Sequence, residues 1–188
     1  MLYGSNGNAE IMLYYLYMMA DGEVSPNEKK IFNTICKELN IDNDVKNSVI
    51  KKCKEVVDDI ENIFNIIVRE KIDEEAGQVG FMFFHFKSTS NTARIIWNLV
   101  NLGFADSVYS DEEKKIVNYL IDKWSINLEL YQEFIDTADT ILALTKQKEW
   151  IVSTFSEESV RNNRKRDVDK TIKQLLNDVK ITIDELAL

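Results

Sequence analysis

Two short acidic stretches repeat the residue type that a hard divalent cation needs as a ligand. The first runs from Ala20 to Ile31 as ADGEVSPNEKKI, and the second runs from Ala105 to Ile116 as ADSVYSDEEKKI. Each stretch contains an Asp and, seven residues later, a Glu. Carboxylate oxygens are the protein ligands that Ca²⁺ and Mg²⁺ prefer. The acids at these repeated positions are Asp21, Glu28, Asp106 and Glu113.

The two stretches belong to a longer internal repeat. Residues 20–41 align without gaps with residues 105–126, and nine of the 22 positions are identical. In each copy, apolar positions at helical spacing precede and follow the acidic turn. The sequence thus predicts two helical hairpins that pack against each other around a pseudo-twofold axis.

Helix capping offers a second explanation for some of these acids. Ser25 with Glu28, and Ser110 with Glu113, fit the SxxE capping box, in which the two residues satisfy each other's backbone amides. The positive end of a helix dipole also favours a carboxylate there and disfavours a metal ion. The two glutamates are therefore explained without any ligand.

Asp21 and Asp106 are harder to explain by capping. Each is predicted to lie at the end of the preceding helix, where the dipole makes another carboxylate unfavourable. Two compensating interactions remain open at this point: bonding to amides of the turn, or a hard cation ligated from both turns. An autonomous EF-hand is excluded, because loop positions 1 and 3 would be Tyr17 and Met19, which cannot ligate calcium.

The duplicated pattern ADGxhSxxE, where h is apolar, flanked by apolar helices, resembles the TerB family of tellurite-resistance and stress-response proteins. It is also similar to the N-terminal domain of DjlA-type co-chaperones. The resemblance covers roughly residues 8–150. It implies a helical domain whose two acidic turns approach each other and bind a metal ion, in stress-associated complexes linked to membranes. By this resemblance the ligands are the four carboxylates named above, and the ion is divalent: Ca²⁺, Mg²⁺, Mn²⁺ or Zn²⁺.

The second copy departs from the family pattern. Ser107 stands where the first copy has Gly22, and Val108 stands where it has Glu23. Because a residue other than glycine at positive φ carries a conformational cost, we expect the second turn to differ in shape and to ligate more weakly.

Composition favours an all-α protein and excludes several functions. The chain has one proline and six glycines, whereas β-sandwiches and barrels need many turn residues. The net charge of −9 argues against nucleic acid as a partner. Cys36 and Cys53 lie on apolar helical faces, which predicts buried, reduced thiols. The chain also lacks a secretory signal and a long apolar run at its start, which predicts a cytoplasmic protein.

We predict a TerB-like domain over residues 1–155 and a C-terminal amphipathic helix over 156–188. The apolar stripe of that helix, which includes Val168, Leu176 and Ile183, must be covered by its own domain, by a partner protein or by a second copy in a homodimer. Its start carries the basic run RNNRKR over 161–166, for which an intramolecular or protein partner is favoured over nucleic acid or a membrane.

The sequence therefore predicts a non-catalytic interaction module with an acidic site that binds a cation weakly or presents negative charge to a partner. Two alternatives remain: a metal-assisted hydrolase that uses the same carboxylates, and a co-chaperone adaptor that uses an exposed apolar patch. Residues 75–91, GQVGFMFFHFKSTSN with its flank, fit a buried helix or a short strand, and helix is the prediction. His85 in this segment is predicted to be a core residue.

Overall fold

The computed structural model describes residues 5–57, 62–68, 88–105 and 109–187. These residues form helices and contain no β-strand, so the predicted all-α class is confirmed for this part of the chain. The helices are α1 (Ser5–Met18), α2 (Pro26–Glu38), α3 (Asn43–Val56), α4 (Ile63–Val68), α5 (Thr89–Gly103), α6 (Asp111–Trp124), α7 (Leu128–Thr154) and α8 (Glu158–Glu185).

The chain divides into two compact units, Met1–Ile126 and Asn127–Leu188. The first unit holds both copies of the repeat, and the second consists of the long helices α7 and α8. The predicted division after residue 155 coincides with the connection between α7 and α8. As a domain boundary it stays a prediction.

Helices α1 and α5 occupy the centre of the first unit. From Leu13 to Met18 every side chain of α1 is buried, and α5 is buried almost as completely from Ile95 to Val100. A helix that is apolar all round must be enclosed by other helices. Accordingly, α2 and α6 each pack against both α1 and α5, while α3 packs on α1 and α4 on α1 and α6.

A buried polar network fixes α1 against α5. Arg94 Nη2 donates to Glu10 Oε2 at 3.0 Å, and Arg94 Nη1 donates to the other carboxylate oxygen. Tyr14 Oη donates to Glu10 Oε1 at 2.6 Å and accepts from Asn98 Nδ2 at 2.9 Å. Contacts advance from residues 10 and 94 to residues 14 and 98, so the two helices run parallel. Their C-terminal ends therefore lie at the same end of the unit.

The second helix of each copy ends in the same way. Ile41 N donates to Cys36 O at 2.9 Å, and Ile126 N donates to Ile121 O at 3.0 Å. Asn40 and Ser125 precede these donors with φ of 54° and 52°, in the left-handed region. Together these features form Schellman caps at positions that the 85-residue offset makes equivalent.

The second unit is an antiparallel pair of helices joined at Phe155–Glu157. Lys148 of α7 pairs with Asp169 of α8, and α8 packs along α7 over much of its length. The buried side chains of α8 are Val168, Val179 and Ile183, which all belong to its predicted apolar stripe, whereas Leu176 of that stripe is 40% exposed. The stripe is thus only partly covered.

The structure also bears on the predictions for residues 75–91 and for the two cysteines. Residues 75–87, including His85, lie outside the described residues, and Ser88 caps α5 with its hydroxyl accepting from Asn91 N. Cys36 and Cys53 are buried and not joined to each other, as predicted, and burial raises the pKa of their thiols to about 11 and about 12. In the described part of the chain, we find no helix both long and apolar enough to cross a membrane.

Replacing Arg94 with methionine should destabilise the protein by about 3 kcal/mol, because it leaves the Glu10 carboxylate buried without its cation. The double variant Glu10→Met/Arg94→Met should be more stable than the single variant by about 1 kcal/mol or more, since no unpaired charge remains. Urea denaturation of the three proteins checks this. Equal stability of the single and double variants would show that the ion pair does not tie the helices together.

Candidate site at the two acidic turns

The first acidic turn depends on a glycine, and a carboxylate of the turn accepts a hydrogen bond from one of its backbone amides. Gly22 has φ of 98°, a conformation that costs other residues free energy, and its amide donates to Met19 O at 3.1 Å. Asp21 Oδ1 accepts from Glu23 N at 3.2 Å, while the Asp21 side chain itself is exposed. Bonding to turn amides, one of the two interactions left open for this residue, is therefore present.

Both predicted capping boxes are confirmed. In the first, Glu28 N donates to Ser25 Oγ at 3.1 Å and Ser25 N donates to Glu28 Oε2 at 2.6 Å. In the second, the corresponding distances between Ser110 and Glu113 are 3.2 Å and 2.9 Å. In addition, Ser110 Oγ lies 2.9 Å from Glu113 Oε2. Each Glu thus has a structural role that needs no ligand.

The capping glutamates differ from ordinary first-turn acids in their burial. Glu28 and Glu113 are each only 2% exposed, although carboxylates at a helix start normally face solvent. They are equivalent positions in the two copies, and α2 and α6 both pack on the central helices. Both glutamates therefore face inward, toward the shared centre of the unit.

The ends of α1 and α5 meet close to these turns. A Cβ atom at Gly103 would lie 2.5 Å from Tyr17 Oη and 2.7 Å from Tyr109 Cδ2. Tyr17 is four residues before Asp21, and Tyr109 immediately precedes the Ser110 cap, with its ring 5.1 Å from that of Phe104. Only a glycine at position 103 allows this approach, which brings the two corners together at one end of the unit.

The electrostatics of Glu113 link the two turns. Burial raises the pKa of Glu113 to about 7 from an ordinary value of 4.5, and hydrogen bonds from Ser110 partly oppose the shift. The carboxylates of Asp21 and Glu28 raise the pKa further through charge repulsion. Acids from the first copy therefore act on the acid of the second copy.

The donor chemistry of these residues fits a hard cation, but their described positions do not assemble a coordination shell. Asp21, Glu28 and Glu113 offer only oxygen, which suits Ca²⁺ or Mg²⁺ better than Zn²⁺. Over 5–57, 62–68, 88–105 and 109–187, no three His, Cys, Asp or Glu side chains are placed to hold a metal ion. Asp106, Ser107 and Val108 lie outside the described residues, so the fourth predicted ligand and the departures of the second turn stay predictions.

Sequence reasoning missed the network of Glu10, Tyr14, Arg94 and Asn98, which positions the two turns. The available signal was an isolated charge in each of the two apolar helices that precede the acidic turns: Glu10 in α1 and Arg94 in α5. Opposite charges at such positions indicate a buried pair between two helices of equivalent role.

No protein-family model matches the chain, and neither the curated proteins nor the solved structures contain a significant match.

The variant Gly103→Ala tests the close approach of the two corners. Alanine in a helix is normally more favourable than glycine by about 1 kcal/mol, but here the new methyl group meets the Tyr17 hydroxyl and the Tyr109 ring, so we expect a loss of about 1 to 3 kcal/mol. Thermal melts compare it with Asn118→Ala, an exposed position on α6 that should change little. A stabilised Gly103→Ala protein would mean that the corners are not in contact.

The raised pKa of Glu113 predicts a pH dependence of stability with a definite sign. Between pH 4.5 and about 7 the folded state holds a proton that the unfolded state has released, so this residue's stabilising contribution is complete below pH 4.5. It is lost as the pH rises through about 7, and the total loss is on the order of 2 to 3 kcal/mol.

In Glu113→Gln that loss should disappear, because the amide is neutral throughout and its oxygen can still accept from Ser110 N. Urea denaturation between pH 4.5 and 8.5 measures the difference between variant and wild type. Glu112→Gln, the exposed neighbour, is the matched control and should follow the wild-type profile. Parallel profiles for wild type and Glu113→Gln would show that Glu113 ionises normally.

Proposed function

We propose that the chain is a non-catalytic, TerB-like interaction module with a joint acidic site that responds to a divalent cation. In this proposal the first unit is a bundle of two repeated helical hairpins, and α7 with α8 form the C-terminal extension. The module belongs to a stress-associated response and acts through protein contacts. The observation that carries the proposal is that Glu28 and Glu113, equivalent capping residues of the two copies, are both almost completely buried.

The matched local geometry of the two copies supports the repeated-hairpin part. The capping boxes, the Schellman caps and the bonds from Ala20 N to Tyr17 O and from Ala105 N to Leu102 O all recur at an offset of 85 residues. In each copy, the second helix packs on the first helix of both copies: α2 contacts α1 and α5, and α6 contacts α5 and α1. A pseudo-twofold axis would produce this arrangement.

The charge balance at the turns supports the cation part. Asp21 and Glu28 raise the cost of ionising Glu113, and either a proton or a positive ion would relieve that cost. A cation bound there would be held by oxygens of Asp21, Glu28, Asp106 and Glu113, and it would supply the positive charge that stabilises the ionised form of Glu113. Binding would therefore compete with the proton on Glu113 and strengthen between pH 6 and 8.

The structural use of the same carboxylates supports a role other than catalysis. Asp21, Glu28 and Glu113 each accept a hydrogen bond from a backbone amide of their own turn or cap. A general base or a hydrolytic metal centre needs a group that is available to substrate or water. Glutamates that are almost completely buried and hold helix starts are better suited to sensing charge than to transferring protons to a substrate.

Thermal melts with Ca²⁺, Mg²⁺, Mn²⁺ and Zn²⁺ at pH 7.5 test the cation site. An ion present at 100 times its dissociation constant should stabilise the protein by about 2.7 kcal/mol. We expect Ca²⁺ or Mg²⁺ to give the larger effect, and Asp21→Asn/Asp106→Asn to abolish it. At pH 5.5 the effect should be smaller, because Glu113 then holds its proton.

Glu112→Gln/Glu129→Gln provides a control that removes two exposed acids outside the site. It should keep the full response to the ion. If no ion raises the melting temperature, or if the double Asp variant responds as the wild type does, the cation site is wrong.

A further inference from the structure

The α7–α8 hairpin carries opposite charge at its two ends. At the open end, residues 128–145 of α7 and 174–187 of α8 hold seven acidic side chains and one basic, a net charge of −6. At the connected end, residues 146–173 hold eight basic side chains and five acidic, a net charge of +3. The hairpin is therefore a strong electric dipole along its length.

The two ends are too far apart to neutralise each other within one hairpin. Lys148 pairs with Asp169 and so fixes the register of the two helices. Glu133 lies fifteen residues from Lys148 toward the open end of the hairpin. Arg164 lies five residues from Asp169 toward the connected end. At 1.5 Å per residue, Glu133 and Arg164 are about 30 Å apart along the axis.

The acidic end also has a groove suited to a basic side chain. It has a volume of about 460 Å³ and is lined by Glu129, Glu133 and Asp136 on one face of α7, together with Gln132, Thr137, Thr140 and Leu175. The three acids occur at helical spacing and no basic residue lines the groove. Long Arg or Lys side chains would contact both the carboxylates and the apolar floor at Leu175.

The same hairpin exposes large apolar side chains near both ends. Among the described residues, the exposed large apolar side chains all lie in this hairpin: Leu128, Trp150, Val152, Leu176, Ile181 and Leu186. Trp150 is 54% exposed and Ile181 is 48% exposed. Helical hairpins with such surfaces commonly bury them by pairing into four-helix bundles.

We propose that the α7–α8 hairpin associates with a second copy of itself in an antiparallel, two-fold symmetric dimer. In that arrangement the basic end of one hairpin, with Arg161 and Lys165, faces the acidic groove of the other, and the same contact occurs twice. A parallel pair would instead place like charges together at both ends, which is unfavourable. A second copy is the occupant because each hairpin supplies both halves of the complementary surface. The proposal does not depend on the cation site.

Charge reversal in the full-length chain tests this arrangement. Glu129→Lys/Glu133→Lys reverses two of the three groove acids and changes the open end from −6 to −2, and Arg161→Glu/Lys165→Glu changes the connected end from +3 to −1. Each variant alone should dimerise at least about tenfold more weakly than wild type, because four favourable contacts become repulsive. A 1:1 mixture should form a heterodimer, since the lysines introduced in the groove of one variant then face the glutamates introduced at the basic end of the other. Sedimentation equilibrium in 50 mM and 500 mM NaCl measures all four samples.

The control Lys29→Glu/Lys54→Glu changes the net charge by −4, as Arg161→Glu/Lys165→Glu does, but at exposed positions on α2 and α3, and it should dimerise as wild type does. Circular dichroism melts establish that each variant is folded. A dimeric wild type, weakened single variants and a restored mixture support the proposal. A monomeric wild type at low salt overturns it, and so does a dimer that the reversals leave unchanged or that mixing fails to restore.

Discussion

The buried pairing of Glu10 with Arg94 is the constraint on which the first unit depends. A carboxylate enclosed between apolar helices is tolerated only when a cation and further donors satisfy it, and Arg94 and Tyr14 do so. Because both oxygens of Glu10 are engaged, α1 and α5 have one favourable register and one relative direction. That direction is parallel, which places the two acidic turns at the same end. A joint site of the two turns requires this orientation.

The acidic turns show how residues that cap helices can also be buried and electrostatically coupled. The capping boxes hold the first turns of α2 and α6, and each contributes about 1 kcal/mol in comparable helices. The same boxes bring Glu28 and Glu113 into buried positions, where the ionisation of Glu113 depends on its burial and on the charges of Glu28 and Asp21. Helix capping alone would have been served equally well by exposed glutamates. Their burial is what raises the pKa of Glu113 to about 7.

The repeat and its caps could be predicted from sequence because they depend on local chemistry. Ser25, Pro26 and Glu28 specify a helix start by themselves, and the same spacing in the second copy specifies another. The apolar periods likewise predicted the helices before and after each acidic turn and the C-terminal helix. The parallel orientation of α1 and α5 could not be derived in this way, because it depends on contacts between residues 84 positions apart.

The pKa of Glu113 and the role of Gly103 were beyond sequence reasoning for the same reason. A glutamate at a third helical position gives no sign of its burial, and a glycine late in a helix reads as a helix terminator. Both properties depend on the C-terminal end of α1, because Tyr17 lies against Gly103 and Asp21 acts on the charge of Glu113. The hairpin of α7 and α8 is the reverse case: its charge asymmetry is visible in the sequence, but the register that separates the charges comes from the Lys148–Asp169 pair.

If the carboxylates of the first turn raise the pKa of Glu113 in the second, a carbon-13 NMR titration of the Glu113 side-chain carboxyl will detect it. We expect a midpoint near pH 7 in the wild type, and a lower midpoint in Asp21→Asn, where one of the repelling charges is gone. A midpoint near 4.5 in both proteins would contradict it, because Glu113 would then be an ordinary capping residue that senses nothing of the other turn.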